Sequence, residues 1–364
     1  MQRAIPVTVM RGGTSKGLFF RAEDLPQDIL LRDSVLLAAL GSPDERQIDG
    51  MGGAHPLTSK VAVLSPSSRD DADVDYLFLQ VVPDKAEVRD NQNCGNILAG
   101  VGPWAIENGW VKANADKTPV RIHMVNTGAL AIAHVCTTGG DVHYNGNARI
   151  DGVPGTAAPI PIEFLEVAGS SCGSLFPTGN FTDKINGVTV SCIDNGMPVV
   201  VMLASDFGLT GKEAPAELEA NITLKKSVEC IRLLAGKLMN LGDVSDKTVP
   251  KMSLLSPPAA GGIVSTRTFI PHRVHEAIGV LGAVSVATAC VVQGTVANRF
   301  ASDHVTGEGS LEMDIEHPTG FFSVQMGVAI SDDQINIKRS ALLRTARKLM
   351  QGHIYIPGDV WSGA

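Results

Sequence analysis

Gln92-Asn93-Cys94-Gly95-Asn96 runs directly into Ile97-Leu98-Ala99-Gly100-Val101-Gly102-Pro103-Trp104-Ala105-Ile106. A polar, glycine-containing turn carries a thiol and opens an apolar helix, which Asn108-Gly109 stops. The first turn of a helix holds N–H groups with no intrahelical acceptor, and its dipole favours anions, whether a thiolate or a bound carboxylate. Two readings of Cys94 stand on this stretch alone. It is a proton-transfer thiol beside a carboxylate-binding turn, or it is a buried, inert cysteine at a helix start.

The rest of the chain bounds that choice. Its 364 residues are long for one core, so two domains are expected. With 44% hydrophobic and 19% charged residues it reads as a globular protein with large cores. The 38 glycines and 20 prolines, against 5% aromatics, favour short strands and tight turns over a helical bundle. A net charge of −8 argues against a nucleic-acid or anionic-membrane partner, so an anionic substrate would need a local cationic pocket. Cysteines 94, 136, 172, 192, 230 and 290 show no CxxC or metal-ligand spacing. His272 and His275 are the one close histidine pair, with no carboxylate cluster beside them, and a structural role suits them. No metal site is expected. The start of the sequence has no apolar leader and no window reaches membrane-spanning length, which reads as a reduced cytoplasmic protein.

Two further glycine-rich loops carry chemistry. Met10-Arg11-Gly12-Gly13-Thr14-Ser15-Lys16-Gly17 joins two apolar strands, without the order of a nucleotide P-loop and without a following helix. Arg11, Thr14, Ser15 and Lys16 could grip a carboxylate by charge-assisted hydrogen bonds, or be the solvated end of a hairpin. Further on, Gly50-Met51-Gly52-Gly53 leads to Ser59-Lys60 at the start of the apolar strand Val61-Ala62-Val63-Leu64. A lysine at such a junction is either desolvated enough to act as a base or snorkels to water. By position alone the second outcome is the commoner.

The Pro/Ala-rich run from Asp151 to Pro161 reads as a crossover, after which the grammar of strands, glycine loops and one short apolar helix repeats. Thr178, Asn195 and Arg267 sit at loop or strand positions suited to anchoring a carboxylate. Ala216 to Met239 reads as the longest helix and Gly282 to Cys290 as a second small-residue helix. The expected division is residues 1–183, 184–343 and a closing segment 344–364 that returns to the first domain. An internal duplication of this kind is expected to face two helix N-termini across a cleft suited to a small polycarboxylate.

These motifs together with Leu57-Thr58-Ser59-Lys60-Val61-Ala62, Asp194-Asn195-Gly196-Met197-Pro198 and Glu316-His317-Pro318-Thr319-Gly320 resemble one family along nearly the whole chain. It comprises the PrpF-like methylaconitate isomerases of propionate catabolism and the 4-oxalomesaconate tautomerases and isomerases of gallate and protocatechuate breakdown. Residues 72–80 (ADVDYLFLQ), 93–103 (NCGNILAGVGP), 239–244 (MNLGDV) and 282–290 (GAVSVATAC) resemble the oxalomesaconate branch. The resemblance implies an α/β, diaminopimelate-epimerase-like fold of two pseudo-symmetric domains, each a barrel-like sheet around a central helix. It also implies that Lys60 and Cys94 are the catalytic pair and that no cofactor is used. Diaminopimelate epimerases use one cysteine from each domain. Here the second helix opens Gly282-Ala283-Val284-Ser285, with Cys290 about two turns inside.

The expected function is therefore proton transfer within an unsaturated keto-tricarboxylate, with 4-oxalomesaconate as the substrate. Asn93, Gly95, Asn96 and the Arg11–Lys16 loop, with Ser59, would bind it. The alternatives are a methylaconitate or aconitate isomerase and, more remotely, a non-catalytic accessory protein of an aconitase-like dehydratase. Cys136, Cys230 and Cys290 are expected to be buried packing residues, and the assembly a dimer or larger.

Overall fold

A computed structural model describes residues 2–90, 93–165, 168–271, 273–301, 309–331 and 334–362, with all their side chains except those of 310 and 328–339. Gln92 and His272 lie outside the described residues. The chain divides into two compact units, Met1–Ile162 with Leu343–Ala364, and Glu163–Leu342. Position 183, the boundary expected from sequence, falls inside the second unit.

The first stretch of chain forms β1 (Gln2–Gly12), β2 (Ser15–Arg21), α1 (Ile29–Leu40), β3 (Lys60–Pro66), β4 (Val74–Val81), β5 (Val88–Arg89), α2 (Gly95–Glu107), β6 (Lys117–Met124), β7 (Ala129–Cys136) and β8 (Ile160–Leu165). The next forms β9 (Asp183–Ile185), β10 (Val188–Asp194), β11 (Pro198–Leu203), α3 (Pro215–Ala220), α4 (Ile222–Leu238) and β12 (Lys251–Ser256). It continues through β13 (Val264–Ile270), β14 (Arg273–Val274), α5 (Val280–Val291), β15 (Gly309–His317), β16 (Gly320–Ser331) and β17 (Gln334–Arg344). The last strand, β18 (Ala346–Pro357), returns to pair antiparallel with β1.

Within the first unit the strands run β18-β1-β2-β3-β4-β6-β7. The β2–β3 and β4–β6 pairs are parallel and the other neighbours antiparallel. Each parallel step needs a crossover, and α1 and α2 lie in those two connections. The second unit has the order β9-β10-β11-β12-β13-β15-β16, with the same alternation and with its helices in the same two connections. The duplication read from the sequence is thus a repeat of strand sense as well as of motif. Each parallel crossover leaves one helix inside its curled sheet: α2 contacts β1, β2, β3, β4, β6, β7 and β18, while α5 contacts β10, β11, β15 and β16. The class is mixed α/β, as expected.

Helix α2 is apolar on every side, and Ile97 through Ala105 are all buried. A helix without a polar face must be surrounded, and its glycines permit the approach. A Cβ at Gly100 would stand 2.7 Å from the ring of Phe19, and one at Gly102 would stand 2.8 Å from Val135. The Trp104 indole donates to Thr8 Oγ1 at 3.0 Å, which satisfies its one polar atom inside the core. On the outer face of the sheet, Ile5, Val7, Val9, Leu18, Phe20, Val61 and Val63 pack with Val35, Leu36, Ala39 and Leu40 of α1. Alternation therefore sends odd-numbered β1 residues to α1 and even-numbered ones to α2.

Helix α1 starts at Ile29, where Asp28 caps it by accepting from the Leu31 N–H. One helical region differs from the sequence reading. The expected long helix from 216 to 239 is two, α3 and α4; Asn221 ends the first and caps the second through Leu224 N–H.

A tight constraint on this architecture is Gly12, where an added Cβ would meet the Asn96 carbonyl oxygen at 2.3 Å and Ile97 Cα at 3.1 Å. Both are backbone atoms of the buried helix and cannot swing away. Gly12→Ala is expected to destabilise the protein by about 1–3 kcal/mol, read as a lower denaturant midpoint. An unchanged midpoint would mean that the helix start yields freely.

Candidate active site

Lys60 opens β3 beside Gly17 of β2, on the face of the sheet turned to α2. A Cβ at Gly17 would touch the Lys60 carbonyl oxygen at 2.7 Å and Ile97 Cδ1 at 3.1 Å, so Lys60 and the first turn of α2 flank the same glycine. The lysine is buried, at 7% exposure. Its Nζ donates to Gln80 Oε1 at 2.8 Å and stands 5.0 Å from the centre of the Phe78 ring. Gln80 Nε2 donates to the carbonyls of Pro56, Ser59 and Val81 at 3.0, 3.0 and 3.2 Å. Three carbonyls can accept only from the amide nitrogen, so the orientation of this amide is forced, and its oxygen faces the lysine.

Cys94 is the N-cap of α2; its carbonyl accepts from Leu98 N–H, and its side chain makes no capping bond. The thiol is half-buried. Tyr76 OH donates to the Cys94 carbonyl at 3.3 Å, and burial with the nearby cysteine pushes that phenol well up. Asn96 ties the hairpin turn to the helix: Thr14 N–H donates to its Oδ1 at 3.4 Å, and its Nδ2 donates to Thr14 Oγ1 at 3.1 Å. Asn93 Nδ2 donates to Thr127 Oγ1 at 2.6 Å, while Asn93 Oδ1 and Ser15 Oγ are buried without a hydrogen-bond partner. Ser15 pairs with Gly12, so both face the helix start.

Arg344 was not singled out in the sequence and belongs to this centre. It is 6% exposed; burial pushes its guanidinium down to about 10, and Cys94 acts in the opposite direction. It remains a cation at neutral pH, next to the thiol. Gln80 and Tyr76 were likewise missed as site residues. Their signal was a tyrosine and a glutamine on the alternating strand Val74–Val81.

Other expected anchors lie elsewhere. Arg11 and Lys16 are a cross-strand pair one step from Gly12 and Ser15, hence on the opposite face of the hairpin from α2. Ser59 Oγ is occupied by Gln47 Oε1 at 2.7 Å and the His55 carbonyl at 2.9 Å. In the second unit Thr178 bonds Asp183 within its own turn. Asn195 is buried against Thr288 and Ser340. Arg267, pushed down mainly by burial, donates to the carbonyls of Glu213 and Thr266. Burial acts to raise Glu316, yet the N–H groups of Ala259, Ala260 and Gly262 bind it and hold it below the usual carboxylate range, as a loop staple.

The two units differ at their matching positions. Lys251 opens β12 as Lys60 opens β3, and burial, with Arg232, pushes it down to about 8. The cap of α5, however, is Gly279 where α2 has Cys94. Cys290 lies near the far end of α5, fully buried and pushed up to about 12. Among the described residues no group of three His, Cys, Asp or Glu side chains could hold a metal ion, and no helix is long and apolar enough to cross a membrane.

Residues 2–357 match the PrpF protein family, and the chain belongs to it. It is 60% identical to a protein of Novosphingobium sp. named (4E)-oxalomesaconate Delta-isomerase, over 96% of this chain and 97% of that one. It is 57% identical to the 4-oxalomesaconate tautomerase of Pseudomonas putida, over 100% and 99%. The crystal structure of a methylitaconate-delta-isomerase superposes with a TM-score of 0.87 at 36% identity, covering 100% of this chain and 98% of that one. A hydroxyproline epimerase of Agrobacterium vitis, at 14% identity and a TM-score of 0.50 over 99% and 98% of the two chains, shares the epimerase-like fold.

Thiol accessibility divides the cysteines: Cys94 is half-buried, and so is Cys136, which was expected to be buried. Burial pushes Cys172 and Cys192 up to about 12, as it does Cys290. Cys230, expected to be buried, is exposed on α4. Iodoacetamide at neutral pH is expected to label Cys94 and Cys230 ahead of Cys172, Cys192 and Cys290, read by peptide mass spectrometry. Equal labelling of all five would refute this ordering.

Proposed function

We propose that the protein is a cofactor-independent isomerase of 4-oxalomesaconate, with Lys60 and Cys94 as its proton-transfer pair, acting in the breakdown of gallate or protocatechuate. The observation that carries this is a buried lysine held by one neutral acceptor, Gln80 Oε1, on the same face of the sheet as a half-buried thiol at a helix N-terminus. The names of the two relatives at 60% and 57% identity support the substrate. The six unpaired cysteines suit a reducing cytoplasm.

The chemistry follows from the groups available. As a neutral amine, Lys60 takes a proton from a carbon acidified by the adjacent ketone and carboxylate, becoming an ammonium. The electron pair delocalises into a dienolate, whose charge is met by the N–H groups at the start of α2 and by Arg344. Cys94 returns a proton at the other end of the conjugated system and becomes a thiolate. Transfer from the Lys60 ammonium to that thiolate, directly or through water, resets both groups. The roles also run in reverse, with the thiolate as base. The unpartnered Ser15 Oγ and Asn93 Oδ1 are suited to polar groups of the bound acid.

Gln80 gives Lys60 a neutral partner. A neutral amide accepts one N–H and leaves the amine lone pair for the substrate. A carboxylate in its place would hold Lys60 as an ammonium. Gln80→Glu is expected to lose activity at neutral pH and to move the acid limb of the pH–rate profile upward, whereas a profile identical to wild type would remove Gln80 from this role.

Deuterium exchange followed by NMR tests the pair. Lys60→Met is expected to lower solvent exchange into oxalomesaconate by about 10²–10⁴-fold, and undiminished exchange would take the lysine out of the base role. Cys94→Ala retaining full turnover would leave the thiol a packing group. Product analysis then separates keto–enol tautomerisation, the activity in one relative's name, from the double-bond shift in the other's. Assaying aconitate and methylaconitate in parallel tests the smaller acids.

A further inference from the structure

The hairpin's outer face carries a second cationic feature that the proposed reaction does not use. Lys16, Arg11 and Arg347 are directly paired across three adjacent strands, β2, β1 and β18. Like charges placed opposite each other in a sheet repel. The Arg11 guanidinium is accordingly pushed down, first by burial and then by Arg347. Among the described residues none of the three takes part in an ion pair. This occurs in a chain with a net charge of −8, where carboxylates outnumber cations and could have been placed beside them.

The row is held in position. Arg11 Nη1 donates to the Gly13 carbonyl at 2.9 Å, the Thr345 carbonyl at 3.1 Å and Thr345 Oγ1 at 3.0 Å, which fixes the guanidinium plane. Beside Arg11 and Arg347 lies a small cleft of about 60 Å3, lined also by Thr345, Tyr144, Ile150 and Val153, with Lys16 outside its lining. No aspartate or glutamate lines it. Alternation puts this cavity on the far side of the sheet from Gly12, Ser15 and the start of α2.

We propose that the Lys16–Arg11–Arg347 row is a second anion site, distinct from the Lys60–Cys94 centre, that binds a small polycarboxylate. Neighbouring strands lie about 4.8 Å apart, so three cations span roughly 10 Å. That spacing matches two or three carboxylates on a short carbon chain better than one compact phosphate. The guanidinium of Arg11 offers one carboxylate a planar fork, and Arg347 and Lys16 meet the others.

Calorimetric titration of the purified full-length protein with citrate tests this. Arg347→Glu is expected to remove one equivalent of bound citrate per chain while keeping kcat/KM on the isomerisation substrate within about twofold, as for an exposed strand position. Arg347→Ala is expected to weaken the same equivalent about tenfold to a hundredfold, and shows whether charge reversal harmed folding. Lys60→Met should leave this equivalent in place. Unchanged stoichiometry in Arg347→Glu would overturn the proposal. So would a tenfold or larger fall in kcat/KM, which would make the row part of the substrate site, or a binding equivalent that disappears in Lys60→Met. Inorganic phosphate binding as tightly as citrate would overturn the assignment to a polycarboxylate.

Discussion

Burial of α2 is the constraint on which the first unit depends. A helix with no polar face cannot lie on a surface, so seven strands curl around it and a second helix seals the outside of the sheet. The approach is close enough that Gly12, Gly17, Gly100 and Gly102 have no room for a side chain. The same burial leaves polar groups to meet the helix dipole at its two ends, and the first turn is the end beside the thiol. Cys94, Asn96, Thr14 and Ser15 gather there because the hairpin must pass over the helix start to complete the sheet.

Charge is sorted by the pleat. Successive residues on a strand face opposite sides, so a hairpin of Arg11, Gly12, Ser15 and Lys16 sends its glycine and serine to the helix and both its cations away from it. The positive charge beside Cys94 comes instead from Arg344, across the fold in sequence, and Lys60 is held by a neutral amide rather than a carboxylate. A paired carboxylate would stabilise the ammonium and blunt a base. An amide keeps the lysine in place and brings no charge of its own.

The internal repeat makes the asymmetry of the two units informative. Both keep the order of strand senses, the buried central helix and a lysine at the head of the matching strand, Lys60 and Lys251. They differ at the helix cap, cysteine in one and glycine in the other. Two facing thiols suit handling one carbon from both sides. A single thiol partnered by a lysine suits moving a proton between carbons, and the substrates in the relatives' names have conjugated systems along which that movement makes sense.

Periodicity and glycine placement were enough to read α2, the hairpins and the duplication, because those signals are local: an apolar run, a turn residue, a two-residue alternation. Cys94 at the helix cap and Lys60 at a strand head were legible for the same reason. What each side chain meets was not. Gln80 and Arg344 are 20 and 284 residues from Lys60, and only the pairing of β3 with β4 and the return of the chain through β17 and β18 bring them to unit one's polar rim. Asn195, Thr178 and Arg267 had the right chemistry in sequence, but their partners are carbonyls, hydroxyls and a carboxylate supplied by packing. The sequence by itself determined the class of fold and singled out Lys60 and Cys94 as the candidate pair. Tertiary structure alone decided which polar groups remain available at that site, since a hydrogen bond satisfied elsewhere in the fold cannot also be offered to a substrate.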